Sequence, residues 1–203
     1  YTLSDTLSLH DALPIFIEGP NGEIDWIENW EDSYDLMEQV DTCVLGGGMY
    51  PGYEHYWTSI LADPKAVLAF TGKAATQGEI DYANFADRTP HVVLSGTLKQ
   101  VQWKAARIER DVDSLLQLKQ RPGKDIYVVG GATLVGSLIN AGWIDELRLT
   151  VHPVVLGQGK ALFKDVERRQ RLERVDARAA EGGLVSLIYR TSGALRVAPT
   201  GEI

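Results

Sequence analysis

The sequence predicts an α/β domain in which a mostly parallel central sheet is covered by helices and ends in an antiparallel edge. Three observations support this prediction. Segments rich in β-branched residues alternate with helical patterns between about residues 43 and 142, and three of these strand segments run directly into glycine or serine. After residue 145 the strand patterns are separated only by turns, which is typical of antiparallel pairing. The length of 203 residues suits one domain with a substantial core.

The first half of the chain is predicted to contain a turn, two strands and two helices. FIEGPNGEIDW begins with a short apolar segment and turns at Pro20 to Gly22. Apolar residues recur at helical spacing in WEDSYDLMEQVDT, where Asp32 or Ser33 can cap the helix. TCVLGGGMY predicts a strand that ends in glycines, and YEHYWTSILAD predicts a helix. The polar stretch through about Arg88 is predicted to be an irregular loop, and HVVLSGTL a second strand.

The second half predicts one more strand and helix pair before the antiparallel strands. ERDVDSLLQLKQRPG predicts a helix that ends at Pro122 and Gly123. DIYVVGG predicts a strand, and ATLVGSLINAG a helix that stops at Gly142. ELRLTVHPVVLG, RLERVDARAA and GLVSLIYR predict the antiparallel strands, with Glu181, Gly182 and Gly183 as a hairpin loop.

Composition excludes several classes of function. A formal charge of −8 argues against a nucleic-acid or anionic-membrane surface, and no apolar run approaches the roughly 20 residues of a membrane span. Cys43 is the only cysteine, so an internal disulfide is excluded and a cytoplasmic location is expected. The four histidines show no metal-ligand spacing, so no metal site is expected. Tyr53, Tyr56 and Trp57 around His55 form either a wall for a ring-shaped substrate or the buried face of a helix.

The N-terminus has a composition of its own. Thr6 to Ile15, TLSLHDALPI, resembles the translation of a sequencing-adapter oligonucleotide. We therefore expect residues 1–15 to be a non-native leader, although an ordinary terminal segment would also explain them. The folded domain is expected over residues 16–190, and residues 191–203 are expected to be a flexible tail.

Small residues follow three predicted strands. They are Gly46, Gly47 and Gly48, then Ser95 and Gly96, then Gly130 and Gly131. In open α/β sheets, ligands bind beyond the carboxyl ends of the strands, where a residue without a Cβ lets the backbone approach a flat ring or a phosphate. The turn alone also explains such a glycine, because a tight turn often needs backbone dihedral angles that other residues rarely adopt. The chain lacks a GxGxxG motif and the lysine of a P-loop.

The combination of VLGGGMY, HVVLSGTL and DIYVVGGATLVGSLINAGWIDELRLTVHPVVLGQGKALF closely resembles the dihydrofolate-reductase-like family. This family includes the reductase domain of the bifunctional riboflavin-biosynthesis deaminase-reductases, and the resemblance extends from Phe16 to Arg190. It implies a dihydrofolate-reductase-like fold, a homodimer, and a reductase that transfers hydride from NADPH, or from NADH, to a small pterin- or aminopyrimidine-like acceptor.

The same resemblance implies roles for particular residues. Asp25 and Trp26 would border the substrate, although a turn cap and a core aromatic would also explain them. No catalytic side chain is assigned, because placing the cofactor against the acceptor would supply most of the catalysis. The residues implied to contact the nucleotide are Gly130, Gly131, Ala132, Thr133 and Leu134 at the pyrophosphate and nicotinamide, Gly46, Gly47 and Gly48 at the other phosphate-facing turn, and Leu94 and Ser95 at the adenosine.

Two departures from the family bear on function. Ala12 to Ile15 stand where the family has Ser-Leu-Asp-Gly, so the first central strand and part of the nicotinamide pocket are expected to be altered. Gly47 and Gly96 stand where the family tends to have arginines that suit a 2′-phosphate. We therefore expect little preference for NADPH over NADH and a gain in NADPH binding from Gly47→Arg. A non-catalytic, nucleotide-binding or scaffold role is the alternative.

The sequence also contains other cations that could replace those two arginines. They are Lys73, Arg88 and Lys99, which lie in or near the loops around the second predicted strand.

Overall fold

The computed structural model describes residues 15–27, 32, 34–69 and 71–192. Within these ranges the helices are α1 Leu36–Gln39, α2 Tyr50–Ala62, α3 Gln77–Arg88, α4 Ser114–Lys119 and α5 Ala132–Asn140. The strands are β1 Phe16–Glu18, β2 Val40–Gly46, β3 His91–Leu94, β4 Ala106–Glu109, β5 Asp125–Gly130, β6 Glu146–Val151, β7 Lys160–Ala161, β8 Leu172–Ala179 and β9 Val185–Thr191. The leader assigned to residues 1–15 lies outside the described residues except for Ile15, and the tail lies outside them from residue 193.

A parallel sheet of four strands forms the centre of the domain, in the order β4-β3-β2-β5. Cys43 pairs with His91 on one side and with Tyr127 on the other. The prediction that the three glycine-terminated strands lie side by side and parallel is therefore confirmed. All four strands are parallel, so their carboxyl ends share one edge of the sheet.

The antiparallel strands form two further sheets. One contains β6, β9 and β8, and the other pairs β1 with β7. The sharp turn between β8 and β9 is the predicted glycine hairpin, with Gly182 and Gly183 at positive φ. The predicted α/β class is confirmed, while the C-terminal strands are hydrogen-bonded into a sheet of their own instead of extending the parallel one. Among the described strands, β5 pairs only with β2 and β6 only with β9.

Two hydrophobic clusters cover the opposite faces of the parallel sheet. Cys43, Leu45 and Val93 belong to a cluster with α2 and α3, whereas Val44 and Val92 belong to a cluster with α4 and α5. This alternation follows from the two-residue period of a strand. Among the described residues, no helix is long and apolar enough to span a membrane.

The structure corrects three predicted elements and adds one strand that was not predicted. The first helix is short, because Val40 already begins β2, where it pairs with Asp125 of β5. Sheet pairing therefore overrides the helical spacing, although the Asp32 carboxylate accepts the first-turn N–H of Leu36 at 2.6 Å as a cap does. Ser33, the other predicted cap, lies outside the described residues. The third predicted helix, ERDVDSLLQLKQRPG, is limited to α4, and Glu109, placed in that helix, instead ends β4, a strand that was missed.

The predicted loop before β3 contains the 12-residue helix α3. Its start is a capping box, in which the Thr76 hydroxyl and the Glu79 carboxylate accept each other's backbone N–H groups at 3.2 Å and 2.7 Å. The T-x-x-E spacing is visible in the sequence and predicts such a helix start. The side chains of Tyr82 and Phe85 are buried against the sheet on the same face of α3. The capping residues and the buried aromatic residues therefore indicated a helix, but the polar composition of the segment led to the prediction of a loop.

Candidate functional site

The carboxyl ends of β2, β3 and β5 meet at one edge of the parallel sheet, which we call the rim. Gly46 pairs with Leu94, and Leu45 pairs with Gly130, so the three turns begin at the same level. The Gly47 N–H donates to the Leu94 carbonyl at 2.9 Å and joins the first two turns directly. The structure thus brings together the small residues that the sequence singled out.

Close packing at the rim requires small residues at particular positions. A Cβ on Gly46 would lie 3.7 Å from the Cβ of Leu134 and 3.8 Å from the Gly130 carbonyl oxygen. A Cβ on Gly47 would overlap Cβ and Oγ of Ser95. Gly130 has a φ of 142°, which L side chains rarely adopt. Gly46 and Gly130, the first glycines of the turns after β2 and β5, are thus packed against neighbouring residues.

Other small residues at the rim are open to solvent. A Cβ on Gly48, Gly96 or Gly131 would meet nothing within 4 Å. The backbone is therefore exposed where a ligand would approach it. Gly131 precedes α5 with a φ of −52° and a ψ of 164°, after a cis Gly130–Gly131 peptide bond.

The start of α5 lies directly after Gly131, one of these open positions. No side chain caps the helix, and the first-turn N–H groups of Ala132, Thr133 and Leu134 lack partners within the helix by its geometry. Ala132 and Leu134 are buried, whereas Thr133 is exposed. Such a helix start carries partial positive charge and suits an anion.

Ser95 shapes the turn after β3. Its Oγ accepts the N–H groups of Thr97 at 3.3 Å and Leu98 at 3.0 Å, which holds the turn. Its backbone N–H donates to the Glu109 carbonyl at 3.1 Å, and this bond joins the turn to the end of β4. The hydroxyl hydrogen of Ser95 stays available for a further acceptor.

Arg110 is a rim residue that the sequence analysis missed. It follows the last residue of β4, and its guanidinium Nη1 donates to the Ser95 carbonyl at 2.6 Å. The polar strand ARIE has only Ile108 as a large apolar residue, so no clear alternation indicated that Arg110 would reach the rim.

The structure also places Arg88 at the opposite end of β3, because α3 ends at Arg88 and β3 starts at His91. Arg88 is therefore not a rim cation.

Asp25 and Trp26 lie in a turn closed by the Ile27 N–H to the Ile24 carbonyl at 3.0 Å. Asp25 is exposed and Trp26 is partly buried. The contacts among the described residues do not join this turn to the rim glycines, so the substrate role of both residues stays a prediction.

A second concave region lies beside the β1–β7 pair. It has a volume of about 420 Å³ and is lined by Glu18, Gly19, Pro20, Gln158, Gly159 and Lys160. Lys160 Nζ and Glu18 Oε1 form an ion pair at 2.7 Å, and a Cβ on Gly159 would overlap the Glu18 carbonyl. Leu162 and Phe163, which follow β7, pack in the same cluster as α5. The strand pair is therefore connected through the core to the helix that starts at the rim.

The aromatic residues of α2 are part of the core. Tyr53 and Trp57 are buried with Tyr82 and Trp103, so the buried-face interpretation of this helix is the one the structure supports. His91 Nδ1 lies 2.7 Å from the Thr89 carbonyl, which can only accept, so this nitrogen carries the hydrogen. Nε2 then accepts from the Tyr53 hydroxyl at 3.2 Å.

Burial makes these groups unsuited to acid–base or nucleophilic chemistry. It lowers the pKa of His91 and raises that of Tyr53. It also raises the pKa of the Cys43 thiol to about 12, so the thiolate that a nucleophilic cysteine needs is disfavoured.

Residues 16–186 match the model of the RibD C-terminal domain. The chain is 35% identical over 190 residues to the uncharacterized protein YyaP of Bacillus subtilis (strain 168), which covers 92% of this chain and 94% of YyaP. A solved protein from Shewanella sp. PV-4 that is proposed to act in riboflavin biosynthesis aligns with a TM-score of 0.60 and 21% identity, over 87% of this chain and 92% of that one. Dihydrofolate reductase from Enterococcus faecalis, complexed with NADP(H), aligns with a TM-score of 0.51 and 16% identity, over 86% and 88%. These two structures show a shared dihydrofolate-reductase-like fold.

Proposed function

This chain belongs to the RibD C-terminal domain family, and we propose that it is a reductase that transfers hydride from a nicotinamide nucleotide, NADPH or NADH, to a small pterin- or aminopyrimidine-like acceptor. The observation that carries the proposal is the rim, where three strands end in small residues beside the uncapped start of α5. The Enterococcus faecalis neighbour, a dihydrofolate reductase, is complexed with NADP(H), which supports a nicotinamide nucleotide on this fold.

The residues at the rim fit a dinucleotide. Gly131 and the first-turn N–H groups of α5 would hold the pyrophosphate, because they combine open space with unpaired donors. Gly46 and Gly130, which pack against Leu134 and Met49, would form the backbone surface beneath a flat ring. Leu94 and Ser95 would contact the adenosine side. Gly47 and Gly48 would supply the backbone of the other phosphate-facing turn.

The acceptor would be held on the side of the domain formed by the segment after β1. We propose that Asp25 and Trp26 border it, as a polar partner and a flat apolar surface. The concave region lined by Glu18 and Lys160 has the volume needed for one heterocycle, since ligand pockets typically span about 300–1,000 Å³. The paired charges of Glu18 and Lys160 would match a ring that carries both donors and acceptors.

The protein's contribution to the reaction would be positioning. The nucleotide, when bound, supplies the hydride. The chain's own residues would fix the distance and angle between the two rings, which is the main source of rate enhancement in such a step. The buried residues Cys43, Tyr53 and His91 would take no part, because they lie inside the core instead of at the rim.

Binding titrations with NADPH and NADH, followed by an acceptor screen, test the proposal. Thr133→Trp should block the first turn of α5 and abolish nucleotide binding. Ser137→Trp, one turn further along the same exposed face, is the matched control and should bind normally. Reduced nucleotide should be oxidised when a pterin or aminopyrimidine is added.

Two results contradict parts of this proposal. A chain that binds neither nucleotide would reject it entirely. A chain that binds either nucleotide but oxidises it with no acceptor would favour the alternative of a non-catalytic nucleotide-binding or scaffold protein. The missing arginines at Gly47 and Gly96 and the departure at Ala12 to Ile15 are the reasons for this alternative.

We also propose a homodimer. Val151, Val175 and Val185 in the β6–β9–β8 sheet are large apolar residues with 38–46% of their surface exposed, and Val151 pairs directly with Val185. An apolar surface of this kind is a common site of self-association. Light scattering should report twice the monomer mass, and a clean monomer would reject this proposal.

A further inference from the structure

The carboxylate of Glu54 joins helix α2 to the chain between β3 and β4. Its Oε1 accepts the backbone N–H of Trp103 at 2.6 Å and that of Gln102 at 3.2 Å. The same oxygen accepts the Tyr50 hydroxyl at 2.6 Å, from the preceding turn of α2. Burial, together with the nearby Glu54 carboxylate, raises the pKa of Tyr50, so this hydroxyl keeps the hydrogen that it donates. One oxygen thus collects three donors from two separate parts of the chain.

Hydrogen bonds, and not an ion pair, hold the Glu54 carboxylate. It is only partly exposed, and in the described part of the chain no lysine, arginine or histidine lies within ion-pair distance of it. Hydrogen bonds to a carboxylate are charge-assisted, and they are shorter and stronger than those between neutral groups. The link between α2 and the backbone at Gln102 and Trp103 is therefore a strong one.

Helix α2 and the irregular residues 95–105, which we call the 95–105 segment, leave the rim at neighbouring turns and are joined at two levels. At the rim, the Gly47 N–H donates to the Leu94 carbonyl at 2.9 Å. Glu54 is the fifth residue of α2, so it makes the second connection about 6 Å along the helix from its start. Glu54 therefore fixes how the 95–105 segment lies against α2 beyond the rim.

Other bonds hold the ends of the 95–105 segment in different ways. At its start, the Ser95 Oγ accepts two backbone N–H groups. At its end, the Trp103 indole Nε1 donates to Asp87 Oδ1 at 2.8 Å. The Asp87 bond fixes a ring, whereas the Glu54 bonds fix the backbone. Loss of the Glu54 carboxylate would leave two backbone N–H groups without this acceptor and would loosen the backbone that leads to Trp103.

Building on the reductase function proposed above, we infer that Glu54 is a positioning residue for nucleotide binding. It holds the 95–105 segment against α2 and so keeps the turns after β2 and β3 in the arrangement that binds the nucleotide. These turns are in close contact, since a Cβ on Gly47 would overlap Ser95. A displaced segment would therefore move the Ser95 turn relative to the glycines after β2. Glu54 acts through the backbone of Gln102 and Trp103, and not through a contact with the nucleotide.

Titrations of the full chain with NADPH and NADH test the inference. Glu54→Ala should weaken both nucleotides alike by about tenfold, the factor expected when about a tenth of the molecules hold the binding arrangement. Glu54→Gln should bind both within about threefold of the wild type, because its amide oxygen accepts the same N–H groups.

Asp87→Ala is the matched control, because it removes a carboxylate that anchors the same residue, Trp103, by its ring. It should lower the unfolding midpoint and leave the affinity for both nucleotides within about threefold of the wild type. If Glu54 contributed to stability alone, Glu54→Ala would give this same result, a lower midpoint with normal affinity. The comparison of affinity with midpoint therefore distinguishes positioning from a structural role.

Amide hydrogen exchange of the wild type tests the same coupling without a substitution. NADPH at ten times its Kd should slow exchange at Gln102 and Trp103 by about tenfold, because it binds only molecules in which Glu54 holds these amides. The amides of Thr76 and Glu79 in the α3 capping box are internal controls and should exchange at the same rate with and without NADPH. This measurement decides the question if Glu54→Ala does not fold.

The outcomes separate this inference from the proposed function. If Glu54→Ala binds both nucleotides like the wild type, or if Asp87→Ala weakens them as much, Glu54 is not a positioning residue and the reductase proposal stands. The same conclusion follows if NADPH leaves exchange at Gln102 and Trp103 unchanged. If wild-type protein binds no nucleotide, the proposed function fails and the inference fails with it.

Discussion

Gly47→Ala is expected to destabilise the protein, because the rim has no room for a side chain at this position. The added Cβ would overlap both Cβ and Oγ of Ser95, and the Ser95 Cα would be 3.5 Å away. The Ser95 hydroxyl accepts two backbone N–H groups, and the Ser95 carbonyl accepts the Arg110 guanidinium. Ser95 therefore has little freedom to move. The same overlap would accompany Gly47→Arg, so we now expect that variant to lose stability before it gains any phosphate contact.

The size of the effect follows from the cost of overpacking. Forcing one methyl group into a packed position costs about 1–3 kcal/mol, which for a domain of this length corresponds to a lower unfolding midpoint by roughly 2–12 °C. Gly96→Ala is the matched control, because a Cβ there meets nothing within 4 Å. Its unfolding midpoint should equal that of the wild type or lie slightly above it.

A double-mutant cycle with Ser95→Gly identifies the cause. Ser95→Gly removes both colliding atoms and also loses the acceptor for the N–H groups of Thr97 and Leu98, so alone it should cost about 0.5–1.5 kcal/mol or slightly more. In that background Gly47→Ala should cost almost nothing. Urea unfolding of the four proteins measures the coupling. The reasoning would be refuted if Gly47→Ala unfolds like the wild type, or if it costs the same with and without the Ser95 side chain.

Other consequences concern the core, α3 and the rim. Tyr53→Phe should lower the free energy of unfolding by about 1–3 kcal/mol in urea titrations, because it leaves the buried Nε2 of His91 without its donor. Burial holds the pKa of His91 below its ordinary 6.5, so the unfolded chain binds more protons below that pH and stability should fall from about pH 7.5 to about pH 5.5, a trend that His91→Gln should reduce. Thr76→Ala should cost about 1 kcal/mol by thermal unfolding through loss of the α3 cap, and an unchanged midpoint would argue against the capping box. Gly130→Ala should lose about 1–3 kcal/mol, because a φ of 142° strains any L residue, and should weaken nucleotide binding in the same titration.

The parallel sheet could be predicted because each of its glycine-terminated strands carries a local signal. Val44 and Val92 are β-branched residues in runs that end in small residues, and burial on both faces favours such runs. The prediction of the first helix was wrong at its end, because Val40 fits both the helical spacing and a strand pattern. Only its pairing with Asp125, far along the chain, decides between the two. The helix α3 was missed for a different reason, since its T-x-x-E start was present but its outer face is polar.

The rim was predictable only where small residues carried the signal. Gly46, Ser95 and Gly130 share one level, as expected from parallel strands. Arg110 was not predictable, because its position depends on β4, whose four residues contain no run of large apolar side chains. An arginine in an apparently helical, charged segment is usually a solvated residue, and only the pairing of Leu94 with Glu109 brings it to the rim.

The acceptor side differs because its residues come from distant parts of the chain. Glu18 and Lys160 are separated by 142 positions and meet only through the pairing of β1 with β7. No local motif can encode such a pair, whereas a glycine turn after a strand is encoded within a few residues. The proposed nucleotide end of the site is therefore supported by sequence, register and packing together, whereas the proposed role of Glu18 and Lys160 at the acceptor is supported by geometry alone. Substitutions at the rim should consequently change nucleotide affinity. Lys160→Met, which removes the charge and keeps the stem, should change acceptor use and leave nucleotide affinity unaltered. Loss of nucleotide binding in that variant, measured by the same titration, would contradict the assignment of Lys160 to the acceptor side.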